Sequence, residues 1–157
     1  MRRLAAVIAM LVLASLTLAT PGSAQSAPYK EGSVWAMQFL RVRPGKFDDY
    51  LNWVRGNAQP FFEAAKKKGL ILSYRFVTVP AFGRDDWDVV SMVEYKNMAA
   101  LDDLREKFEP LREQIFGPPA ERRALTAERT ELRDEIGTKL GRELILRDST
   151  PPPHATR

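Results

Sequence analysis

The sequence predicts an α+β fold in which four antiparallel strands carry helices on one face, in the order β-α-β-β-α-(α)-β. Three observations predict it. Phe47, Leu51, Val54, Ala58, Phe61 and Ala65 recur at three- and four-residue spacing, the apolar stripe of one helix. Lys66-Lys67-Lys68 puts cations on its last turn, Gly69 can end it, and residues 70–79 switch to β-branched and aromatic side chains. The strand-like runs are apolar at both odd and even positions, so both faces of the sheet must be covered.

Taken in order, residues 25–32 are small and polar and read as a flexible lead-in to a domain of residues 33–147. The first strand, 33–43, places Trp35, Met37, Phe39 and Arg41 on one face and Val34, Ala36, Gln38, Leu40 and Val42 on the other. Pro44-Gly45 ends it, and the helix begins at Lys46. Pro60 removes a backbone donor inside that helix and should kink it near Gly56-Asn57. The second strand, 70–79, stops at Pro80; residues 81–86 are turn material, and 87–95 return as the third strand of a hairpin. Asn97 caps a second amphipathic helix marked by Met98, Leu101, Leu104, Phe108, Leu111 and Ile115, which Pro110 should kink or split. Gly117-Pro118-Pro119 stops it. Residues 121–135 are dense in Glu and Arg, with Leu125 and Leu132 their only large apolar residues, and read as a solvated surface helix. Residues 136–147 close the domain as a fourth strand, and 148–157, with three consecutive prolines, read as a disordered tail.

Helices on one face would leave the other face of such a sheet wet and polar. Here it is apolar, and the expected cover is the same face of a second copy, a homodimer. With its element order, its double-faced strands and the helix–Gly–strand passage Ala64-Ala-Lys-Lys-Lys-Gly-Leu-Ile-Leu-Ser-Tyr74, the chain resembles the ferredoxin-like, dimeric α/β-barrel superfamily. That group includes antibiotic-biosynthesis and haem-degrading monooxygenases, stress-responsive barrel proteins and NIPSNAP-like proteins. The resemblance implies the fold and the dimer. One fold hosts many activities, so it does not imply a reaction.

The start of the chain carries an address. Arg2-Arg3 precedes an apolar run, residues 4–18, and Pro21-Gly22-Ser23-Ala24 supplies small residues for cleavage after Ala24, with Ala27 as a second choice. Residues 1–24 therefore read as a signal peptide, and the run is shorter than the roughly 20 residues a membrane anchor needs. The expectation is an exported protein, periplasmic or secreted, with no membrane contact after cleavage. Cleavage removes two of the 24 basic residues, leaving 22 against 20 acidic, interleaved along the chain, which gives nucleic acid no basic face. There is no cysteine, so neither a disulfide nor a lipid-modified cysteine is possible.

No catalytic motif stands out. The only histidine is His154, in the tail, so the domain offers neither imidazole nor thiolate to a metal, a haem or a nucleophilic triad. The expectation is no cofactor and no metal; Asp85, Asp86 and Asp88 read as solvated loop carboxylates. What remains is polar side chains within apolar strands: Gln38, Arg41, Ser73, Arg75, Glu94, Arg142 and Glu143. If Val77 faces Met92, Arg75 faces Glu94 as a cross-strand ion pair, with a ligand-facing role for Arg75 as the alternative. Trp35, Gln38, Tyr74, Arg75, Glu94 and Arg142 are the candidate ligand-binding residues, for a small apolar or aromatic molecule between helices and sheet. A rival reading is a cofactor-independent monooxygenase acting on an aromatic or quinol-type substrate, for which Trp35, Trp53, Asn52 and Asn57 supply the residue types.

Overall fold

The structure, a computed structural model, describes residues 27–81, 83 and 86–147. The expected signal peptide and tail lie outside the described residues. Four strands, β1 (Tyr29–Val42), β2 (Ser73–Thr78), β3 (Val89–Tyr95) and β4 (Arg133–Leu146), form one sheet in the order β2-β3-β1-β4. Every neighbouring pair is antiparallel, so β3 sits between the parallel strands β1 and β2, the split arrangement of the ferredoxin-like fold.

The first helical region is one coil of three parts: α1 (Phe47–Trp53), a π-helical turn (Val54–Ala58) and α2 (Gln59–Lys67). The kink expected from Pro60 is replaced by this π turn. Pro60 has no N–H, and its ring would crowd the carbonyl four residues back in an α-helix. Five-residue spacing just upstream, with the Gln59 N–H on the Val54 carbonyl, widens the coil instead. The glycine stop is as expected. Gly69 takes φ +70, its N–H reaches the Lys66 carbonyl, and the Leu70 N–H reaches Ala65 O at 3.0 Å, a Schellman cap.

β2 begins at Ser73 rather than at residue 70: the Leu70 N–H is used in the cap, Ile71 drops into the core, and the Leu72 N–H reaches the Glu94 carbonyl of β3 at 2.8 Å. Asn97 caps a 3₁₀ turn (Met98–Leu101), accepting from the Ala100 N–H at 3.0 Å. The break in this helical region falls at Asp103, in the left-handed region at φ +53, and α3 (Leu104–Phe116) then runs unbroken through Pro110. The charged helix, α4 (Pro119–Leu132), ends earlier than expected, and β4 takes residues 133–135.

The expected lead-in is partly strand. Tyr29, Lys30 and Glu31 pair with Leu146, Ile145 and Leu144, because β4 runs long enough to give them partners. A bulge between Glu31 and Val34 brings the Glu143 carboxylate within 2.6 Å of where a Cβ on Gly32 would stand, so a side chain there would have to displace that carboxylate.

The hairpin register is shifted by two residues from the expected one. Arg75 stands opposite Met92, Val77 opposite Val90, and Glu94 opposite Ser73, whose hydroxyl donates to the Glu94 carboxylate at 2.5 Å. No Arg75–Glu94 ion pair forms; Arg75 lies over the Trp35 ring at 5.5 Å. A shift of two residues keeps every side chain on its own face, so apolar alternation permits either register.

On the helix face, Val34, Val93, Tyr95, Phe108 and Leu111 form one buried group with Ala65 and Ile71. Leu40, Val42, Val89, Tyr50 and Val54 form a second. The cleft described next is lined by residues packed into both.

Candidate functional site

The cleft lies between the helices and the sheet. It consists of two adjoining hollows of about 240 and 320 Å³ that share Trp53, Arg112, Phe116 and Arg129. The inner one has Gln38 and Leu40 of β1, Ser91 of β3 and Phe76 of β2 on its floor. These four share a face by strand alternation, since Gln38 pairs with Ser91 and Ser91 with Phe76. The outer hollow runs along α4 past Arg122, Leu125 and Thr126. The residues that looked like a solvated surface helix are therefore one wall of the cleft, and residue spacing alone carried no signal of it.

The walls are aromatic. Phe61 stacks on Phe116 with ring centres 5.2 Å apart and touches Phe62 edge-on at 5.7 Å, and Phe62 lies 6.2 Å from Phe76. The π turn presents Val54 and Ala58 to the inner hollow, with Trp53 immediately before it. Such turns recur at functional sites, because the widened backbone changes which side chains reach inward.

The charges are one-sided. Arg112, Arg122, Arg129 and Arg133 line the two hollows, and no carboxylate does. Glu109 reaches in from outside to Arg122 at 2.7 Å and to Arg112 at 3.8 Å. The Arg122 hydrogen bond holds the Glu109 carboxyl below its ordinary range. Glu135 accepts from Gln38 Nε2 at 2.6 Å and stands 3.5 Å from Arg133. Its carboxyl is likewise held low, first by the Gln38 bond. Arg129 rests over the Trp53 ring at 5.7 Å and makes no ion pair among the described residues. Burial, then repulsion from Arg133, pushes its pKa down.

Arg133 is a buried charge held only by long contacts. It is 6 % exposed, yet its contacts to Glu135 and to Gln38 Oε1 are both 3.5 Å long, and its Nε has no partner. Trp53 Nε1 is a second buried donor without a partner, on the same cleft. A buried guanidinium held this loosely costs free energy. Burial with β4 as its scaffold was not readable from the sequence, where Arg133 looked like one more charge in a charged helix.

Of the six ligand-binding candidates named from the sequence, only Gln38 lines this cleft; Trp53, named for the rival oxygenase reading, borders both hollows. Trp35, Arg75 and Glu94 stand on the opposite face of the sheet. Tyr74 is on the helix face, donating to Glu63 at 2.7 Å beside a separate, open hollow that Arg75 also borders. Arg142 pairs with Glu31 at the far end of β4. Asn52 and Asn57 join Trp53 around a shallow hollow on the outer side of that helix, where Asn57 Nδ2 donates to Trp53 O at 3.1 Å. Among the described residues, no three His, Cys, Asp or Glu side chains gather as they would to hold a metal ion. No described helix is long and apolar enough to cross a membrane.

No protein-family model matches the sequence, and no curated protein does. Among solved structures, the chain is similar to a dimeric ferredoxin-like protein from an uncultured marine organism, at 15% identity, over 76% of this chain and 100% of that one, with a TM-score of 0.47. It is similar to a NIPSNAP family protein of unknown function from Agrobacterium tumefaciens at 12% identity, over 76% and 93% of the two chains, with a TM-score of 0.45. A dimeric protein of unknown function and ferredoxin-like fold from Bacteroides fragilis matches at 12% identity, over 76% and 99%, with a TM-score of 0.38.

Proposed function

We propose that this is an exported, homodimeric protein that binds a small, largely aromatic molecule in the cleft between helices and sheet. The observation that carries the reading is the cleft itself: a hollow walled by Trp53, Phe61, Phe62, Phe76 and Phe116, with a few polar groups on its floor. A neutral aromatic probe, N-phenyl-1-naphthylamine, tests it by its fluorescence on binding. The wild type should bind it, and Ala58→Phe, which fills the inner hollow, should bind it at least tenfold more weakly. Equal binding by the two, or none by either, would sink the reading.

Dimerisation is supported by the other face of the sheet, where Trp35, Met37, Phe39 and Met92 lie side by side and only half-buried. Exposed Ile145 of edge strand β4 stands on the same face by strand alternation. Sedimentation at micromolar concentration should give twice the chain mass. Export is supported by residues 1–24; the intact mass of the exported protein should correspond to a chain beginning at Gln25.

A second reading, cofactor-independent oxygenation of a quinol-type aromatic that supplies its own electrons to O₂, is favoured by one observation. Trp53 borders both hollows of the cleft, and Asn52 and Asn57 stand beside it. Oxygen uptake with quinol substrates separates it from simple binding.

A further inference from the structure

We propose that the ligand of this cleft is an aromatic carboxylate, its carboxylate seated on Arg133, Arg129 and the Trp53 indole N–H while its ring lies against Phe61, Phe76 and Phe116. This deepens the binding reading above and rests on it.

The argument begins with what the empty cleft leaves unsatisfied. Two buried donors, Arg133 Nε and Trp53 Nε1, have no acceptor, and both residues line the inner hollow. A water molecule could satisfy the N–H groups, but it cannot neutralise the charge. Four arginines line the two hollows and no carboxylate does. The carboxylates that reach these arginines do so from outside the hollows and are shared: Glu109 is held by Arg122 at 2.7 Å, and Glu135, which accepts from Gln38 at 2.6 Å, stands 3.5 Å from Arg133. Arg129 has only the face of Trp53, and Arg133 only contacts of 3.5 Å.

An anion is the one kind of group that answers all of these at once. A guanidinium presents a flat fork of donors that matches the two oxygens of a carboxylate. The rest of the lining then limits the body that carries the anion. Aromatic walls around about 240 to 320 Å³ suit one or two fused rings and exclude a large or strongly polar group. Keeping a loosely paired arginine 6 % exposed lowers the stability of the empty protein, as groups retained for binding often do.

The test uses the full chain and a matched pair of probes, 2-naphthoate and 2-naphthalenemethanol, titrated by calorimetry at neutral pH. The wild type should bind the acid at least tenfold more tightly than the alcohol. Arg133→Met should bring the two within threefold and raise the melting temperature of the empty protein. Trp53→Phe and Arg129→Met should each shrink the preference, which keeps the test decisive if Arg133→Met does not fold. If the wild type binds both probes equally, the carboxylate proposal is wrong and the cleft remains a site for neutral aromatics. If it binds neither, the binding reading itself falls, and this proposal with it. A preference for the acid that survives all three substitutions would place the anion elsewhere and overturn the proposal.

Discussion

The two faces of the sheet are built from similar residues and end up in opposite conditions. On the helix face, Val34, Leu40, Val89 and Val93 are almost wholly buried under the first helical coil and α3. On the other, Trp35, Met37, Phe39 and Met92 are only half-buried, covered by one another and by long cations: Arg75 over Trp35 at 5.5 Å and Lys139 over Phe39 at 5.8 Å. The first face has more helix than it needs and opens into a cleft; the second has none. Apolar alternation therefore does not say what will cover a face. That depends on where the connections between strands pass.

The largest effect that would break this comparison is in the packed face. Leu40 and Leu111 are each 1% exposed, so Leu40→Ala or Leu111→Ala should cost about 2–5 kcal/mol in denaturant unfolding. Met37→Ala, on the open face, should cost well under half of that in the monomer. Similar losses would mean that the second face is packed within the chain after all.

The next concerns what covers the open face. Phe39→Glu puts a charge in its centre and should turn the proposed dimer into a folded monomer, read by sedimentation together with circular dichroism. A dimer that persists would move the interface to another surface.

A smaller effect sharpens the register on that same face. A double-mutant cycle on Ser73 and Glu94 should give a coupling of about 1 kcal/mol, since the hydroxyl donates to the carboxylate at 2.5 Å. The cycle on Arg75 and Glu94 should give a coupling near zero, and Arg75→Met alone should cost less than about 1 kcal/mol. A large coupling between Arg75 and Glu94 would restore the register expected from composition.

The smallest effect belongs to the helix face and appears only in alkali. Burial, and then the hydrogen bond to Glu63, push the Tyr74 hydroxyl up from its ordinary 10.0 to about 12. A folded value above the unfolded one means that the neutral phenol stabilises the fold. That contribution is complete below pH 10 and is lost as the pH rises to about 12. The stability difference between wild type and Tyr74→Phe should therefore be constant below pH 10 and shrink above it. A difference that grows in alkali would mean that the phenolate, rather than the phenol, is held.

The sequence by itself determined the element order, the Gly69 stop, the Asn97 cap and the two apolar faces, because each of these is local. They follow from periodicity, from one glycine able to take positive φ and from one side chain reaching three residues ahead. It also placed Gln38 as a polar group needing an explanation, since a polar side chain among apolar neighbours is visible in a strand pattern. Only the tertiary structure decided the rest. The hairpin register was not local: a shift of two residues preserves the same alternation, so no pattern could reveal it. The π turn depended on how Pro60 was accommodated. The cleft depended on Arg112, Arg129 and Arg133, which lie in runs as charged as any solvated helix. They become a site only because α4 is laid against Trp53 and β4 then carries Arg133 beneath it, where burial, which no sequence spacing records, makes a loosely paired charge costly.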